Sequence, residues 1–169
     1  MKSRIRCSTV AVLVAAWVGM MASPAEAALA ITVPGTANLG STPVTSASLS
    51  AQLGTVTVAD DRKTGLSWTA TVSCTDFTTG GGTTPETIQK AFVSYWSGPA
   101  TATSGLAVAV PGQLTAAQAV NMTSSRTAFS GTGIALVTNS ASWNPTIIVN
   151  LPAGVVSGTY TGTVTHSVA

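Results

Sequence analysis

Apolar and polar side chains alternate along most of this chain with a period of two, which is the repeat of a half-buried β-strand. The clearest case is residues 66–75, where serine and threonine fall on one side and apolar residues on the other. The apolar positions of this segment are Trp68, Ala70, Val72 and Cys74. Residues 53–59 and 158–168 alternate in the same way. We therefore predict that all three segments are strands with one buried and one solvent-exposed face.

Turn residues divide these strands from one another. Residues 60–65 lie between the first two alternating segments, and Gly65 can adopt the positive φ that such a turn requires. We therefore predict that the strands 53–59 and 66–75 pair as a hairpin. Five further segments are predicted as strands: residues 91–97, 105–110, 126–130, 134–139 and 146–151.

No segment after the N-terminal region shows a helical repeat over three turns, and only residues 114–120 are rich enough in Ala and Gln for a single turn. Eight or nine short strands separated by turn residues favour two packed sheets over a barrel. The predicted fold class is all-β, an antiparallel two-sheet β-sandwich of the Ig-like kind with little or no helix in the mature chain.

The N-terminus has the layout of a secretory signal peptide. Three basic residues precede an uncharged apolar stretch, and a helix-breaking Pro24 leads to Ala25-Glu26-Ala27. The alternative is a membrane anchor, but the apolar run is short for a bilayer, which needs about 20 residues. We predict cleavage after Ala27, or otherwise after Ala30. Residues 1–27 are then the signal, 28–50 a loose segment with short strands, and 51–169 the folded domain.

Loss of residues 1–27 removes the net positive charge. Four basic and four acidic residues remain, so the mature chain is formally neutral. A neutral chain offers no basic field for nucleic acid or anionic lipid. Residues 28–169 also contain 27 threonines, which make the surface polar through hydroxyl groups rather than charges. Such a surface suits a secreted protein that packs against polymers or other proteins.

The residues available for chemistry are few. His166 would need an orienting carboxylate and an activated serine to serve in hydrolysis, and there is no Gly-x-Ser-x-Gly motif. Zinc requires three or four ligands of the His and Cys type, and only His166 and Cys74 remain. Asp60 and Asp61 stand beside two basic residues, which favours a solvated turn over a calcium site. We predict no enzyme, metal or cofactor, with an extracellular hydrolase as a less favoured alternative.

Cys74 is the one cysteine after residue 27, so it has no intramolecular disulfide partner. Its position in register with Trp68 and Val72 favours a small buried side chain. Pairing with a second chain stays open as the alternative.

Aromatic side chains are the remaining candidates for binding. Tyr95 and Trp96 are adjacent in a predicted strand and should therefore point to opposite faces. Trp143, before Asn144-Pro145, stands at the entrance of a strand and would be either a core residue or a contact. Of Tyr95 and Trp96, one should face solvent or a loop cleft, where an exposed ring suits contact with sugar or protein. Trp68 lies on a face predicted to be buried, which favours a core residue.

Two segments resemble conserved blocks of the WxL-domain cell-surface proteins of Gram-positive bacteria. Residues 53–72 look like the first block and residues 151–168 like the C-terminal block, and the likeness spans most of residues 50–169 in order. The family motif is Trp-x-Leu, occurring twice. Here Trp68-Thr69-Ala70 stands at the first motif and His166-Ser167-Val168 at the second, so only the first tryptophan is kept.

The resemblance implies a cell-surface protein that attaches non-covalently to cell wall peptidoglycan, often beside partner surface proteins. We therefore expect a secreted, extracellular or wall-associated binding protein whose candidate contacts are Trp68, His166, Tyr95, Trp96 and Trp143. Its expected partners are peptidoglycan or a wall-associated protein, without nucleic acid and without a membrane span after cleavage. An alternative is a self-assembling subunit that forms a surface fibre through strand addition at a Thr-rich edge.

Overall fold

The structure is a computed structural model that describes residues 28–169 together with the backbone of residues 4–11. The predicted signal peptide, residues 1–27, therefore lies mostly outside the described residues. Its one described part, Arg4–Ala11, is a strand of the main sheet.

Strands are the main regular structure of the described chain, as its alternating pattern predicts. The strands in chain order are β1 (Arg4–Ala11), β2 (Leu29–Thr32), β3 (Thr36–Ala37), β4 (Ser41–Pro43), β5 (Ser48–Gln52), β6 (Val56–Asp60), β7 (Ser67–Cys74), β8 (Phe77–Thr78), β9 (Thr87–Ile88), β10 (Val93–Trp96), β11 (Ala100–Ser104), β12 (Leu106–Pro111), β13 (Val120–Asn121), β14 (Arg126–Gly133), β15 (Asn139–Trp143), β16 (Thr146–Asn150) and β17 (Thr159–Val168). Three single-turn 3-10 helices, Thr84–Glu86, Lys90–Phe92 and Ala116–Gln118, complete the regular secondary structure of the described residues. The last of these lies where the sequence predicted one turn.

One layer is a nine-stranded sheet whose main path runs β12-β14-β7-β17-β1-β3. β7 is central to it, because it pairs in antiparallel fashion with β14 on one side and with β17 on the other. Short β8 and β9 extend the sheet beside β17, and β4 extends it beside β1.

The facing layer consists of two four-stranded sheets, β13-β10-β16-β5 and β11-β15-β6-β2. Two stretches of chain, residues 48–60 and 139–150, run through both sheets and pair with each other in each. Between the sheets both stretches bend, and the amide of Gly54 donates to Oδ1 of Asn144 at the bend. The amide of Leu53 likewise donates to the carbonyl of Pro145. The molecule is therefore a sandwich-like, mainly antiparallel all-β fold.

The core between the layers is built from the predicted inward positions. Trp68, Ala70 and Val72 of β7 are each no more than 1% exposed, as are Val56 and Val58 of β6. Burial on this scale stabilises the fold by about 1.5–3 kcal/mol for each large apolar side chain.

The predicted hairpin is wrong. β6 pairs with β2 and β15, whereas β7 pairs with β14 and β17, so the two strands lie in different sheets. Their connection crosses between the layers, and Gly65 takes φ +67° within it. Alternation fixes which face of a strand is buried, but it does not fix the neighbouring strand.

The strand positions also differ between residues 98 and 145. Residues 134–138 form a loop in which Leu136 has φ +70°, so the predicted strand 134–139 is wrong. Strands β11 and β15 lie in segments that were not predicted as strands. The structure has sixteen strands after residue 28, more than the eight or nine predicted, because β8, β9, β11 and β13 add to the four short strands β2–β5 of the N-terminal segment.

Candidate functional site

Four of the five aromatic and histidine candidates lie together in the core. Trp68, Tyr95, Trp143 and His166 are between 0% and 3% exposed. Their strands come from both layers, β7 and β17 from one and β10 and β15 from the other. As placed, these four side chains hold the layers together and have no surface to offer a ligand.

Stacked rings connect the two layers through this cluster. Phe129, which the sequence analysis did not single out, lies between two tryptophans, with its ring centroid 4.8 Å from that of Trp143 and 6.4 Å from that of Trp68. The indole nitrogen of Trp68 donates to Oδ1 of Asn139, 3.2 Å away. Asn139 is itself buried, so this bond satisfies two polar groups inside the core.

The polar end of the cluster is the pair Tyr95 and His166. The Tyr95 hydroxyl lies 3.1 Å from Nε2 of His166 and accepts a longer hydrogen bond from Nε1 of Trp143, at 3.4 Å. Burial lowers the pKa of His166 to about 4 and raises the pKa of Tyr95. Burial therefore favours the neutral form of both side chains near pH 7, and it leaves the His166 ring almost no surface in contact with solvent.

Trp96 is the exception among the five. It is half-buried, and the preceding Tyr95 is fully buried, so the two neighbours do face opposite sides of β10. The Trp96 ring lies over the turn at Gly98, where a Cβ atom would lie 3.5 Å from it. This ring therefore packs along the surface of its own turn.

A cleft of about 470 Å³ opens at one end of the sandwich. Its walls are the segment 79–92, which follows β8 and contains β9, and the loop 151–158, which precedes β17. Its lining residues are Gly82, Thr84, Pro85, Thr87, Gln89, Phe92, Pro152, Ala153, Gly154 and Val155. None of the residues expected from the sequence to bind a ligand is among them.

Hydrogen bonds tie the two walls of the cleft together. The Tyr160 hydroxyl donates toward the carbonyls of Val156 and Pro85, at 2.9 and 3.2 Å. The amide of Val156 donates to the same Pro85 carbonyl at 3.0 Å. On the near wall, the carboxylate of Glu86 accepts from the amide and hydroxyl of Thr83, which fixes the turn Thr84–Glu86. These bonds fix the positions of the two walls relative to each other.

The lining is uncharged and mixes apolar with polar groups. Phe92 is 40% exposed and is the one aromatic ring among the lining residues. Pro85, Pro152 and Val155 give further apolar surface, and the Gln89 side chain offers an amide. Concave sites with an aromatic platform and a few polar groups bind small ligands or segments of polymers. In the sequence, Phe92 was visible only as one residue of a predicted strand, and the approach of the two loops could not be read from it.

The four carboxylates of residues 28–169 each accept a hydrogen bond from a neighbouring group. The Arg62 guanidinium beside Asp60 lowers the pKa of that carboxyl, and the Thr138 hydroxyl and Lys63 lower that of Asp61. The hydroxyl and amide of Thr83 lower the pKa of Glu86, and Asp76 accepts from the amide of Lys90. Among the described residues, no three His, Cys, Asp or Glu side chains group together in a way that could hold a metal ion.

No helix within the described part of the chain is long and apolar enough to cross a lipid bilayer. Comparison with known protein families finds no family model that matches this chain, and no curated protein sequence matches it.

Proposed function

We propose that this protein is a secreted, non-catalytic cell-surface protein that associates non-covalently with the cell wall, and that the cleft around Phe92 contacts wall glycan. The observation that carries the proposal is the neutral lining of this cleft, with one exposed ring among uncharged polar groups. The sugar rings of a glycan strand present apolar faces and uncharged hydroxyl and amide groups, which complement such a surface.

The sequence resemblance to WxL-domain proteins also supports a cell-surface protein that binds the cell wall. The two blocks that resemble WxL-domain proteins supply β7 and β17, which pair with each other so that His166 lies opposite Val72. The two motif positions, Trp68 and His166, are both core residues of the same sheet. In this proposal they stabilise the sandwich, while the loops at its end make the contact.

A non-catalytic role is supported by the state of the acid and base groups. His166 is buried and neutral, and the four carboxylates of residues 28–169 are engaged by the neighbours described above. None of these groups lines the cleft. The nearest carboxylate in the chain, Glu86 on the near wall, is bound by the amide and hydroxyl of Thr83, which leaves no free acid and base pair at the cleft.

The experiment is co-sedimentation of the secreted protein with purified peptidoglycan, prepared with and without its attached secondary polymers. We expect saturable binding that Phe92→Ala weakens at least fivefold and Phe92→Tyr largely keeps. Leu66→Ala is the matched control, because Leu66 is 50% exposed and precedes the opposite end of β7. Equal binding by Phe92→Ala and the unchanged protein would reject the cleft as the contact.

A further inference from the structure

The strand Arg4–Ala11 lies inside the main sheet rather than at its edge. It runs parallel to β17, with Arg6 opposite Thr159 and Ala11 opposite Thr163. On its other side it pairs in antiparallel fashion with β3 and β4, with Ile5 opposite Thr42. Residues predicted to belong to a removable signal thus lie between β17 and the β3–β4 segment of the mature domain. We call the space that they occupy the strand slot.

The slot is one strand wide. Neighbouring strands lie about 4.8 Å apart, so its two walls, β17 and the β3–β4 segment, are about 10 Å apart. The amide of Thr163 donates to the hydroxyl of Thr75 and its carbonyl accepts from the amide of Thr75, so the backbone of Thr163 faces β7 and β8. Successive residues of a strand direct these groups to opposite sides. The backbone groups of Tyr160, Gly162 and Val164 therefore face the slot.

Hydrolysis of the peptide bond after Ala27 by a signal peptidase would remove the strand and leave both walls unpaired. Among the described strands, β3 and β4 pair only with β1, and β17 pairs with no other strand on that side. The exposed edge would be Thr159–Val168, which contains no proline, lysine or carboxylate. Sheet edges are normally protected by such residues, and an unprotected edge accepts strands from other chains.

We propose that the strand slot of the mature protein accepts an extended segment of a different cell-surface protein, running parallel to β17. The proposal rests on the export and cleavage in the proposed function. Backbone hydrogen bonds would supply the affinity, as in other cases of strand addition. The leader strand occupies the slot until it is removed, so the precursor is closed and the mature protein is competent to bind.

The partner is a different protein because a second copy has no free strand as long as the eight-residue strand that leaves the slot. Apart from β3 and β4, which are two and three residues long and form the second wall of the slot, every strand of residues 29–168 pairs with another strand of residues 29–168. The longer stretches that remain, residues 61–66, 79–86, 112–119 and 151–158, are turns and loops rich in glycine, proline and polar residues. A second copy could donate a strand only by giving up a wall of its own slot or by breaking the pairing of one of its own sheets.

The test uses a fluorescent peptide with the sequence of residues 4–11, carrying Cys7→Ser, and the secreted protein whose loss of residues 1–27 has been checked by mass spectrometry. We expect saturable binding of this peptide, measured by fluorescence anisotropy. The affinity of the same peptide N-methylated at alternate residues should be at least tenfold weaker. N-methylation removes backbone donors and keeps the side chains. The full chain produced without export, with its leader retained, should bind at least tenfold more weakly.

A disulfide trap checks the register. The secreted protein carries Thr42→Cys, and two peptides are compared, one with Cys in place of Ile5 and one with Cys in place of Thr9. Because Ile5 is the residue paired with Thr42, we expect the first peptide to form the disulfide at least tenfold more efficiently than the second. Equal capture, or equal binding of the methylated and unmethylated peptides, would overturn the slot.

Two further measurements separate this proposal from others. Phe92→Ala should bind the peptide like the unchanged protein, so failure of glycan binding at the cleft leaves the slot untouched. The second measurement is the particle mass of the secreted protein as a function of its concentration. If the mass rises with concentration and falls when the peptide is added, a second copy supplies the strand, and the choice of a different protein is overturned. A leader retained in the secreted protein would also overturn the proposal, because the slot would never open.

Discussion

The hydroxyl of Tyr95 lies 3.1 Å from Nε2 of His166, and this contact joins the two layers of the sandwich inside the core. Nδ1 of the same imidazole is buried and has no hydrogen-bond partner among the described residues. Protonation of His166 would place a charge in this apolar surrounding. The folded protein therefore holds the ring neutral, which links stability to pH.

We expect the free energy of unfolding to fall between about pH 6.5 and pH 4. Burial lowers the pKa of His166 from 6.5 to about 4, so in this range the unfolded chain binds a proton that the folded protein does not. The stability conferred by the neutral ring is fully present above pH 6.5 and is lost as the pH falls toward 4. The size of the loss is about 3 kcal/mol, at roughly 1.4 kcal/mol for each pKa unit.

Urea unfolding of the secreted protein at pH 7, 5.5 and 4 measures this effect. His166→Gln, which has no titrating ring, should lose most of the pH dependence in this range, whatever its stability at pH 7. If the variant and the unchanged protein lose the same stability between pH 6.5 and 4, the titrating group is not His166.

Gly131 allows the ring of Trp68 to lie against β14. The two residues are paired across β7 and β14, and a Cβ atom at Gly131 would lie 2.5 Å from the indole ring. Gly131→Ala should therefore lower the free energy of unfolding by about 1–3 kcal/mol, the usual cost of an overpacked core. Gly35→Ala is the matched control, because nothing lies within 4 Å of that position. Equal unfolding midpoints in urea for the two variants would contradict the packing described.

Asp60 and Arg62 form a two-point ion pair at the end of β6. The two hydrogen bonds between their side chains are both 2.8 Å long, and Asp60 is 1% exposed. Arg62→Ala would leave a buried carboxylate without its main partner, at a cost of about 1–3 kcal/mol near pH 7. Because Arg62 lowers the pKa of Asp60, this stability is present above pH 3.8 and is lost as the pH falls through the folded-state pKa.

The neighbouring pair provides the comparison for Arg62→Ala. Both Asp61 and Lys63 are more than half exposed, so Lys63→Ala should leave the unfolding midpoint unchanged within error. Thermal or urea unfolding of both variants at pH 7 tests the difference. A larger effect from Lys63→Ala than from Arg62→Ala would contradict the assignment of the buried pair.

Cys74 should behave as an inert core residue. Its side chain is buried, and burial raises the pKa of the thiol to about 11, so little thiolate forms near neutral pH. We expect a thiol reagent at pH 8 to label the folded, secreted protein at least a hundredfold more slowly than the protein in denaturant. A dimer on a non-reducing gel that disappears in Cys74→Ser would instead show pairing between chains.

The sequence by itself determined the strand character of the chain and the inward faces of its main strands. In β7 the alternation alone identified Trp68, Ala70, Val72 and Cys74 as buried, because side chains of a strand point to opposite sides whatever its partners are. The positive φ of Gly65 and the single turn at Ala116–Gln118 were also local properties. The predicted signal at residues 1–27 rests on a local pattern of charge and hydropathy in the same way.

Tertiary structure alone decided which strands became neighbours and where a ligand has access. β6 and β7 joined different sheets, and the Ser-rich β15 became a strand because β6 and β11 pair with it on both sides. The cleft brings Phe92 together with Pro152 and Val155, which are about sixty residues away in the chain. Contacts at such separation depend on how whole sheets pack, and no local repeat of apolar residues records that packing.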